Sequence, residues 1–522
     1  MSNPKWQAVG CFVVCFLLVA GMQRWSGASE AAFNGYPDEP SHYLGGLMLR
    51  DYMAAGFPMK PRAYAINYYL HNPFFGIGYW PPLFYVAEGL WMAAIGYSRL
   101  ETLLFLAFIA ALLAATIFAV VRPVLGSPGA FCCALLLLLI PDVVSNNFMV
   151  MTDTAVALLS FWSVLALARY FENGKWSDSI LFAFLAACTI MTKYTGLYLA
   201  LLPPLSLVVG RRWDLLRRPS FWFQPLIVAA LCLPWFLYAR QYSTVGIASY
   251  YGPGLAKALF GYLRLWAFNL NPWMSAMLFG AWIYQSFFLA EANVLRRILW
   301  LQPVCVLLFQ SVAPVGIETR YLIPALPSLI VLLSFTLSRL PKWYGPGVIA
   351  ATVAGYSVIT LTHYPHRANG IRPVVEAITR TEGAAKQSLV YVPANAEGPM
   401  IAEFAMLDAS RPVRILARPN KLLAHMDWLG NRYQSDYERP DELERYFEEN
   451  PPDLLILHSP LSSSEFPHER LLQTTVRQYP NSWRLLASVA EYDVYRFAGS
   501  RNAGEVGITP RYRRRIIGRF EN

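Results

Sequence analysis

The sequence predicts a polytopic α-helical membrane protein that carries a small C-terminal α/β domain. Of its 522 residues, 56% are hydrophobic and only 15% are charged, whereas soluble domains are about 45–50% apolar and about 25% charged. Apolar runs of membrane-spanning length fill residues 1–362. In residues 363–522 the pattern changes to short strands and amphipathic helices. The same composition excludes a disordered chain, a coiled coil and a disulfide scaffold.

About eleven transmembrane helices are predicted, each from an apolar run close to the roughly 20 residues that a bilayer requires. They are residues 5–22, 101–121, 129–145, 152–168, 179–192, 195–209, 221–239, 273–290, 298–313, 320–338 and 345–362. The first run can also be read as a signal peptide, because the small residues SGASEA follow it. Its apolar stretch is long for a signal peptide, so we predict a retained span.

Segment 81–97 is predicted to be an interfacial helix and not a span, because it is short, opens with two prolines and carries Glu88. With a cytosolic N-terminus, the short outside turns carry only Lys193 and Arg320. The inside loops and their edges collect Lys5, Arg122, Arg169, Lys175, Arg211, Arg212, Arg217, Arg218, Arg296, Arg297, Arg339 and Lys342. Positive residues favour the cytosolic side, and counting 81–97 as a span would invert every later loop.

The net charge of +10 belongs to the hydrophobic part of the chain. Residues 363–522 hold 21 basic and 20 acidic side chains, and the first 362 residues hold 22 and 13. The excess therefore reports membrane orientation, and no nucleic-acid partner is predicted. All seven cysteines lie in apolar runs, which indicates neither a disulfide framework nor a cysteine metal site.

Two long segments are predicted outside, the first outer loop 23–100 and residues 240–272, with a second interfacial helix at 254–268. We therefore divide the chain into a transmembrane domain, 1–362, and an extracytoplasmic α/β domain, 363–522. In the second domain, strands are predicted at 387–392, 411–416, 453–458 and 491–497, and helices at 395–408, 440–449 and 464–478. The basic tail 511–520 either contacts anionic headgroups or is disordered.

Acidic residues mark two predicted outer positions. Asp38 and Glu39 lie in GYPDEPSHY after the first span, and Asp153 lies at the outer end of the fourth. Asp38, with Pro40 close behind it, can simply cap a helix. An ionisable residue at a membrane entrance, however, indicates function. The topology, chosen on basic residues alone, brings Asp38 and Asp153 to one face.

Three further motifs have both a structural and a functional interpretation. YWPPLFY (79–85) can form part of an aromatic belt, and Lys193 in MTKYTGLY can snorkel or bind a phosphate. In GIETRYLIPALPSL, Glu318 and Arg320 can form a local ion pair.

Taken in order, the DE pair, the PPL segment, the TD, the TK turn and the RYLIPALPSL run resemble the membrane glycosyltransferases of the C superfamily. The likeness is strongest to protein O-mannosyltransferases, lipid A aminoarabinose transferases and related bacterial dolichyl-phosphate-mannose-type transferases, and it covers about residues 1–340. It implies a polyprenyl-phosphate-linked sugar donor and chemistry at the extracytoplasmic face of a multi-pass protein of the bacterial inner membrane.

The resemblance also implies roles for individual residues. Asp38 matches the catalytic base, Glu39 its acidic neighbour and Asp153 an acidic residue that shapes the site. Relatives often have Lys or His before PPL, where this sequence has Trp80. The role of that cation passes to Lys60, Arg62 or His71, or is absent. Lys193 and Arg320 match cationic positions near the donor phosphate. Tyr79, Trp80 and Tyr321 are the expected substrate-binding residues.

The chemistry needs few groups, because a phosphate leaves as a stable anion and requires no general acid. One carboxylate to take the acceptor proton and cations beside the phosphate are enough for an inverting single displacement. The acceptor can be a glycan, a lipid or a protein. No cofactor is predicted; some distant relatives need a divalent metal, but Asp38 and Asp153 do not by themselves indicate one, and neither a phosphate-binding Gly-rich motif nor HExxH occurs.

Two alternative functions stay open. A secondary transporter or lipid-linked sugar flippase would explain the many spans, but not the long outer segments or a folded outer domain. A non-catalytic relative would use the outer domain to bind a glycan or a protein.

Overall fold

A computed structural model describes residues 4–243, 254–269, 271–313, 316–341, 343–363, 369–382, 388–408, 414–425, 433–460, 466–498 and 508–521. These residues form α-helices, seven short strands and four 3₁₀ segments. The helices are α1 (Pro4–Trp25), α2 (Glu39–Ala54), α3 (Pro61–His71), α4 (Leu83–Ala94), α5 (Arg99–Leu139), α6 (Pro141–Asn147), α7 (Asp153–Asn173), α8 (Trp176–Thr192), α9 (Leu202–Gly210), α10 (Pro219–Ser243), α11 (Leu255–Asn269), α12 (Pro272–Ser286), α13 (Val294–Val312), α14 (Leu326–Leu337), α15 (Tyr344–His363), α16 (Arg372–Glu382), α17 (Glu397–Leu407), α18 (Pro419–Leu422), α19 (Pro440–Glu449), α20 (Pro467–Gln478) and α21 (Pro510–Glu521).

The strands are β1 (Leu389–Tyr391), β2 (Ile415–Ala417), β3 (Ala424–His425), β4 (Gln434–Ser435), β5 (Leu454–His458), β6 (Trp483–Val489) and β7 (Tyr492–Phe497). The 3₁₀ segments are Tyr194–Leu201, Trp213–Arg217, Thr319–Ala325 and Ala394–Ala396.

The predicted class of multi-pass helical membrane protein is confirmed. Within the described part of the chain, seven helical segments are long and apolar enough to cross a membrane: Pro4–Trp25, Arg99–Leu139, Asp153–Asn173, Pro219–Tyr242, Val294–Val312, Thr319–Leu337 and Tyr344–Thr362. The predicted spans at 179–192, 195–209 and 273–290 also fall on helical segments, but these are shorter, at 17 residues or fewer. Every predicted span therefore overlaps helix, although the number that cross a bilayer is not fixed by length alone.

Helix α5 of 41 residues comprises two helical parts, which carry the predicted span 101–121 and most of the predicted span 129–145. A kink divides it at Gly126, whose φ of 70° is accessible to glycine at little cost. The predicted span 129–145 ends earlier than expected, at Leu139. Pro141 lies at the start of the separate helix α6, and the residue before a proline disfavours helical backbone angles.

The chain divides into two compact units. The first unit comprises residues 1–29, 78–87 and 99–366, and the second comprises 30–77, 88–98 and 367–522. In the first unit, α1 and α15 pack against α5, and α8 packs against both α7 and α10. The centre of this unit consists of α7, α14 and the inner faces of α5 and α13, whose apolar side chains are largely buried.

The second unit gathers most of the first outer loop and the C-terminal segment, so its ranges differ from those of the predicted domains. Its five-stranded sheet has the order β2-β1-β5-β7-β6. Strands β2, β1 and β5 are parallel, while β7 is antiparallel to both β5 and β6. Parallel sheets that carry antiparallel strands at one edge are common in folds that combine helices and strands.

Most predicted elements of the C-terminal segment lie on the observed ones. Helix α19 has the predicted bounds, and α17 and α20 lie inside the predicted ranges. β6, α16 and the short hairpin β3–β4 were not predicted, and residues 411–413 of the second predicted strand lie outside the described residues. The basic tail forms helix α21, which buries Tyr512, Ile516 and Ile517.

Both predicted interfacial segments are helices. α4 has 12 residues, about 18 Å of helix at 1.5 Å per residue, which is well short of the roughly 30 Å hydrocarbon core. α11 covers residues Leu255–Asn269, almost as predicted, whereas residues 244–253 and 270 of the second outer segment lie outside the described residues.

Candidate functional site

Asp38 stands at the N-cap position of α2, but its side chain makes no capping hydrogen bond. Its backbone carbonyl accepts a hydrogen bond from the amide of His42 at 3.0 Å, which belongs to the first turn of the helix. The side chain is half-buried. Helix capping therefore does not account for a carboxylate at this position.

Glu39 differs from its neighbour because it is fully buried, with 0% exposure. Its Oε2 accepts a hydrogen bond from the backbone amide of Gly35 at 2.8 Å. This bond joins the first residue of α2 to the loop that precedes it. Glu39 thus fixes the turn that presents Asp38.

In the first unit, Asp153 and Lys193 form an ion pair, with 2.6 Å between Nζ of Lys193 and Oδ1 of Asp153. Asp153 is the first residue of α7, and Lys193 follows α8 in an extended conformation, with φ of −159°. The side chains are 2% and 12% exposed, so water screens the pair little. Within the described part of the chain, Oδ2 of Asp153 is buried and accepts no hydrogen bond.

Tyr321 connects this pair to Arg320. Nζ of Lys193 lies 5.2 Å from the centre of the Tyr321 ring, and the Arg320 guanidinium carbon lies 5.1 Å from it. Nε of Arg320 donates a hydrogen bond to Oε2 of Glu318 at 2.6 Å, so the local ion pair considered for this motif does form. Asp153, Lys193, Tyr321, Arg320 and Glu318 therefore make one cluster, in which two cations contact the same aromatic ring.

The 3₁₀ segment Thr319–Ala325 holds this cluster against α6 and α7. The hydroxyl of Thr319 donates to Oδ1 of Asp142 at 2.8 Å, and burial raises the pKa of the Asp142 carboxyl. Asp142 is not among the predicted site residues. Its signal was available, because an acidic residue at the end of an apolar run repeats the pattern that drew attention to Asp153.

The predicted phosphate-binding residues Lys60, Arg62 and His71 lie on or beside α3, in the second unit. Lys60 and Arg62 are exposed. His71 is buried, its Nδ1 lies 2.9 Å from the carbonyl of Asn67, and burial lowers its pKa. A neutral imidazole lacks the positive charge that a phosphate contact needs, so Lys60 and Arg62 are the better candidates on this helix.

Tyr79 and Trp80, the expected substrate-binding pair before the double proline, belong to the first unit. Their rings meet edge to face, with 5.2 Å between centroids and an interplanar angle of 84°. Both side chains are half-buried. They leave part of an aromatic surface open to a ligand.

Glu88 was noticed in the sequence as a charge within an apolar run, but not as a buried group. Its side chain has 0% exposure, and neither carboxyl oxygen has a hydrogen-bond partner within the described residues. Its Cδ lies 2.6 Å from where a Cβ would stand at Gly46 of α2, so glycine at 46 makes room for it. Burial raises the pKa of Glu88 well above its ordinary value, because desolvation disfavours the charged carboxylate.

The structure thus brings four of the predicted site residues together in the first unit: Asp153, Lys193, Arg320 and Tyr321. Asp38, Glu39, Lys60, Arg62 and His71 belong to the second unit. Across the described residues, no group of three His, Cys, Asp or Glu side chains is placed to hold a metal ion.

Comparison with known proteins agrees with the resemblance seen in the sequence. Residues 80–238 match the model of the dolichyl-phosphate-mannose-protein mannosyltransferase family. No curated protein sequence matches the chain significantly.

The fold resembles that of ArnT from Cupriavidus metallidurans. The structure of ArnT bound to undecaprenyl phosphate superposes with a TM-score of 0.61 at 14% identity, covering 95% of this chain and 98% of ArnT. The apo structure of ArnT gives a TM-score of 0.59 at 14% identity, covering 94% and 98%. The family match over residues 80–238 and this likeness of fold together agree with the predicted resemblance to membrane glycosyltransferases of the C superfamily.

Proposed function

We propose that this protein transfers a sugar from a polyprenyl-phosphate-linked donor to an acceptor hydroxyl at the extracytoplasmic face of the membrane. The observation that carries the proposal is the fold match over 95% of the chain to a protein that was solved with undecaprenyl phosphate. The family match over residues 80–238 supports the same activity. A polyprenyl phosphate is therefore the expected product that leaves the enzyme.

In the proposed reaction, the acceptor oxygen attacks the anomeric carbon while the bond from that carbon to the phosphate oxygen breaks. The electron pair of the broken bond stays with the departing lipid phosphate, and the acceptor proton passes to the Asp38 carboxylate. The sugar is transferred with inversion of configuration, since one displacement takes place. Asp38 suits the role of base because its carboxylate is not used as a helix cap.

Arg320 and Lys193 are the proposed phosphate-binding cations. Each already has a carboxylate partner, Glu318 and Asp153 respectively, which holds its long side chain in place. Arginine can bind a phosphate through two parallel hydrogen bonds, while lysine acts as a point charge. In this proposal Asp153 orients the side chain of Lys193. Lys60 and Arg62 are secondary candidates for binding the same phosphate.

The test begins with the donor itself. Mass spectrometry of lipids from a strain that lacks this protein should show one accumulating lipid-linked sugar, which is then purified as substrate. Wild-type protein in proteoliposomes should release polyprenyl phosphate from it when an acceptor extract is present. We expect Asp38→Asn to lower the turnover about 10²- to 10⁴-fold, the usual contribution of a general base.

The control is Asp441→Asn, which removes a carboxylate that is 45% exposed on α19 and should leave turnover unchanged. An Asp38→Asn protein with full activity would overturn the assignment of the base. Movement of the lipid-linked sugar across the bilayer without release of polyprenyl phosphate would favour the flippase alternative instead.

A further inference from the structure

The first turn of α2, which follows Asp38, packs directly against helix α17 of the C-terminal segment. The contact is made at Gly398, the second residue of α17. A Cβ placed at Gly398 would lie 2.6 Å from Cζ of Phe74 and 2.9 Å from Cγ of Pro40. Real Cβ atoms do not approach so closely, so only glycine allows these two helices to meet in this way.

Glycine is otherwise a poor choice at this position. Inside a helix it costs about 1 kcal/mol relative to alanine, and the backbone of Gly398 has no positive φ that would require it. Its close approach to Phe74 and Pro40 is therefore the physical reason for a glycine here.

Arg418 also stabilises the contact between α17 and the residues around Phe74. Its Nε donates to Oε2 of Glu397 at 2.6 Å, and its Nη1 donates to the carbonyl of Pro73 at 3.0 Å. The guanidinium also lies over the ring of Phe74, 4.7 Å from the centroid. Glu397, the first residue of α17, is 3% exposed, so the pair is well shielded from water. Arg418 thus joins the start of α17 to the turn at residues 73–74.

The turn at residues 73–74 is also hydrogen-bonded to α2. The hydroxyl of Ser41 donates to the carbonyl of Phe74 at 2.7 Å, and Ser41 lies in the first turn of α2. A continuous set of contacts therefore runs from Arg418 and Gly398, through Phe74, to Ser41 and Pro40. Asp38 stands two residues before Pro40, at the N-cap of the same turn.

We propose that Gly398 and Arg418 are positioning residues for Asp38, so that the C-terminal segment helps to align the catalytic carboxylate. The inference rests on the proposed function, because it names the residues that align the catalytic base of that reaction. A shift of about 1 Å in a reacting group can cost about 100-fold in rate without weakening substrate binding. The contacts named here are those that would prevent such a shift.

The test measures kcat and KM for the accumulated lipid-linked sugar in the full-length protein. Gly398→Ala should lower kcat at least about 10-fold and leave the donor KM within about two-fold. The double variant Gly398→Ala with Phe74→Leu should recover part of the loss, because it removes the ring atoms that the new methyl group meets. Gly370→Ala is the matched control, since nothing lies within 4 Å of a Cβ built at that glycine.

A second pair of variants covers the case in which Gly398→Ala does not fold. Arg418→Lys keeps the charge but not both hydrogen bonds, and Arg418→Met removes both. We expect kcat to fall in the order wild type, Arg418→Lys, Arg418→Met, with the donor KM little changed. A purely structural role would instead lower the yield of folded protein and leave kcat per folded molecule unaltered.

Wild-type kcat in folded Gly398→Ala, or in folded Arg418→Met, would overturn the inference while leaving the proposed function intact. Absence of any polyprenyl phosphate release by the wild-type protein would overturn the proposed function. The wild-type and variant assays therefore distinguish the two failures.

Discussion

The ion pair of Asp153 and Lys193 shows how single side chains in the first unit depend on one another. Removing two charges from water is costly, and their attraction offsets this cost only while both are present. At 2% and 12% exposure the two side chains have little access to solvent. Loss of either partner would leave the other charge buried beside an aromatic ring.

We therefore expect Asp153→Asn and Lys193→Met each to destabilise the protein by about 3–5 kcal/mol, as is usual for one half of a buried pair. The double variant should be less destabilised than the sum of the two, because it buries no unmatched charge. Thermal unfolding of all four proteins in one detergent measures the coupling. The exposed pair Arg380–Glu376 serves as the control and should show about 0–1 kcal/mol. Strictly additive effects of Asp153 and Lys193 would contradict the pairing.

The sequence named most of these residues because isolated charges beside apolar runs are conspicuous. It did not show which charges meet, since Lys193 and Asp153 are 40 positions apart. It also gave His71 a phosphate contact that burial disfavours, because a residue on a short helix reveals its depth only when the helix has packed.

At the scale of elements, length and periodicity were reliable guides. α4 is too short to span a bilayer, and α19 begins at Pro440, a residue that is favoured at the first position of a helix. β6 was missed because Leu485, an apolar residue in the middle of this edge strand, is half exposed and a bulge interrupts the register between Leu485 and Ala487. Strands that are covered on both faces show a near-continuous apolar run, which this edge strand lacks.

Helix α20 supplies a prediction about acid stability through His468. This side chain is 1% exposed, its Nδ1 lies 2.9 Å from the hydroxyl of Tyr433, and Nε2 has no hydrogen-bond partner within the described residues. Burial lowers the pKa of His468 to about 4, although Asp436 acts in the opposite direction. An unfolded histidine titrates at about 6.5.

Between pH about 6.5 and about 4, His468 binds a proton in the unfolded chain but not in the folded chain. Folding stability should therefore fall as the pH drops through this window, by up to about 1.4 kcal/mol per pH unit from this residue. His468→Gln should remove that contribution. Melting temperatures at pH 7.5, 6 and 4.5 provide the measurement, and parallel curves for wild type and variant would contradict it.

At the scale of the whole molecule, the distribution of charge predicts orientation. The basic loop RRWDLLRR (211–218) should face the cytosol, and the C-terminal segment should face outward. The natural cysteines give a low background for labelling, since Cys11, Cys15, Cys133, Cys232 and Cys305 are buried and the remaining two are only partly exposed.

We expect Asp441→Cys, on the exposed side of α19, to react with a membrane-impermeant maleimide in intact spheroplasts. Arg217→Cys, in the basic loop, should react only after the membrane is permeabilised. Both substitutions are made in a variant that lacks the seven natural cysteines, which serves as the control. The reverse pattern of labelling would overturn the orientation and with it the extracytoplasmic position of Asp38.

The sequence by itself determined the helical membrane class, nearly every helix of the first 362 residues, the α/β character of the C-terminal segment and the carboxylates and cations worth testing. These features depend on local composition and on a hydrophobic periodicity of two or 3.6 residues, both of which are visible in short stretches of the sequence. Only the tertiary structure decided that Lys193 pairs with Asp153, that Glu88 is buried beside Gly46, and that residues 30–77 form one unit with the C-terminal segment. Those outcomes depend on long-range packing and on the free-energy cost of burying charge, and no local sequence pattern predicts either of them.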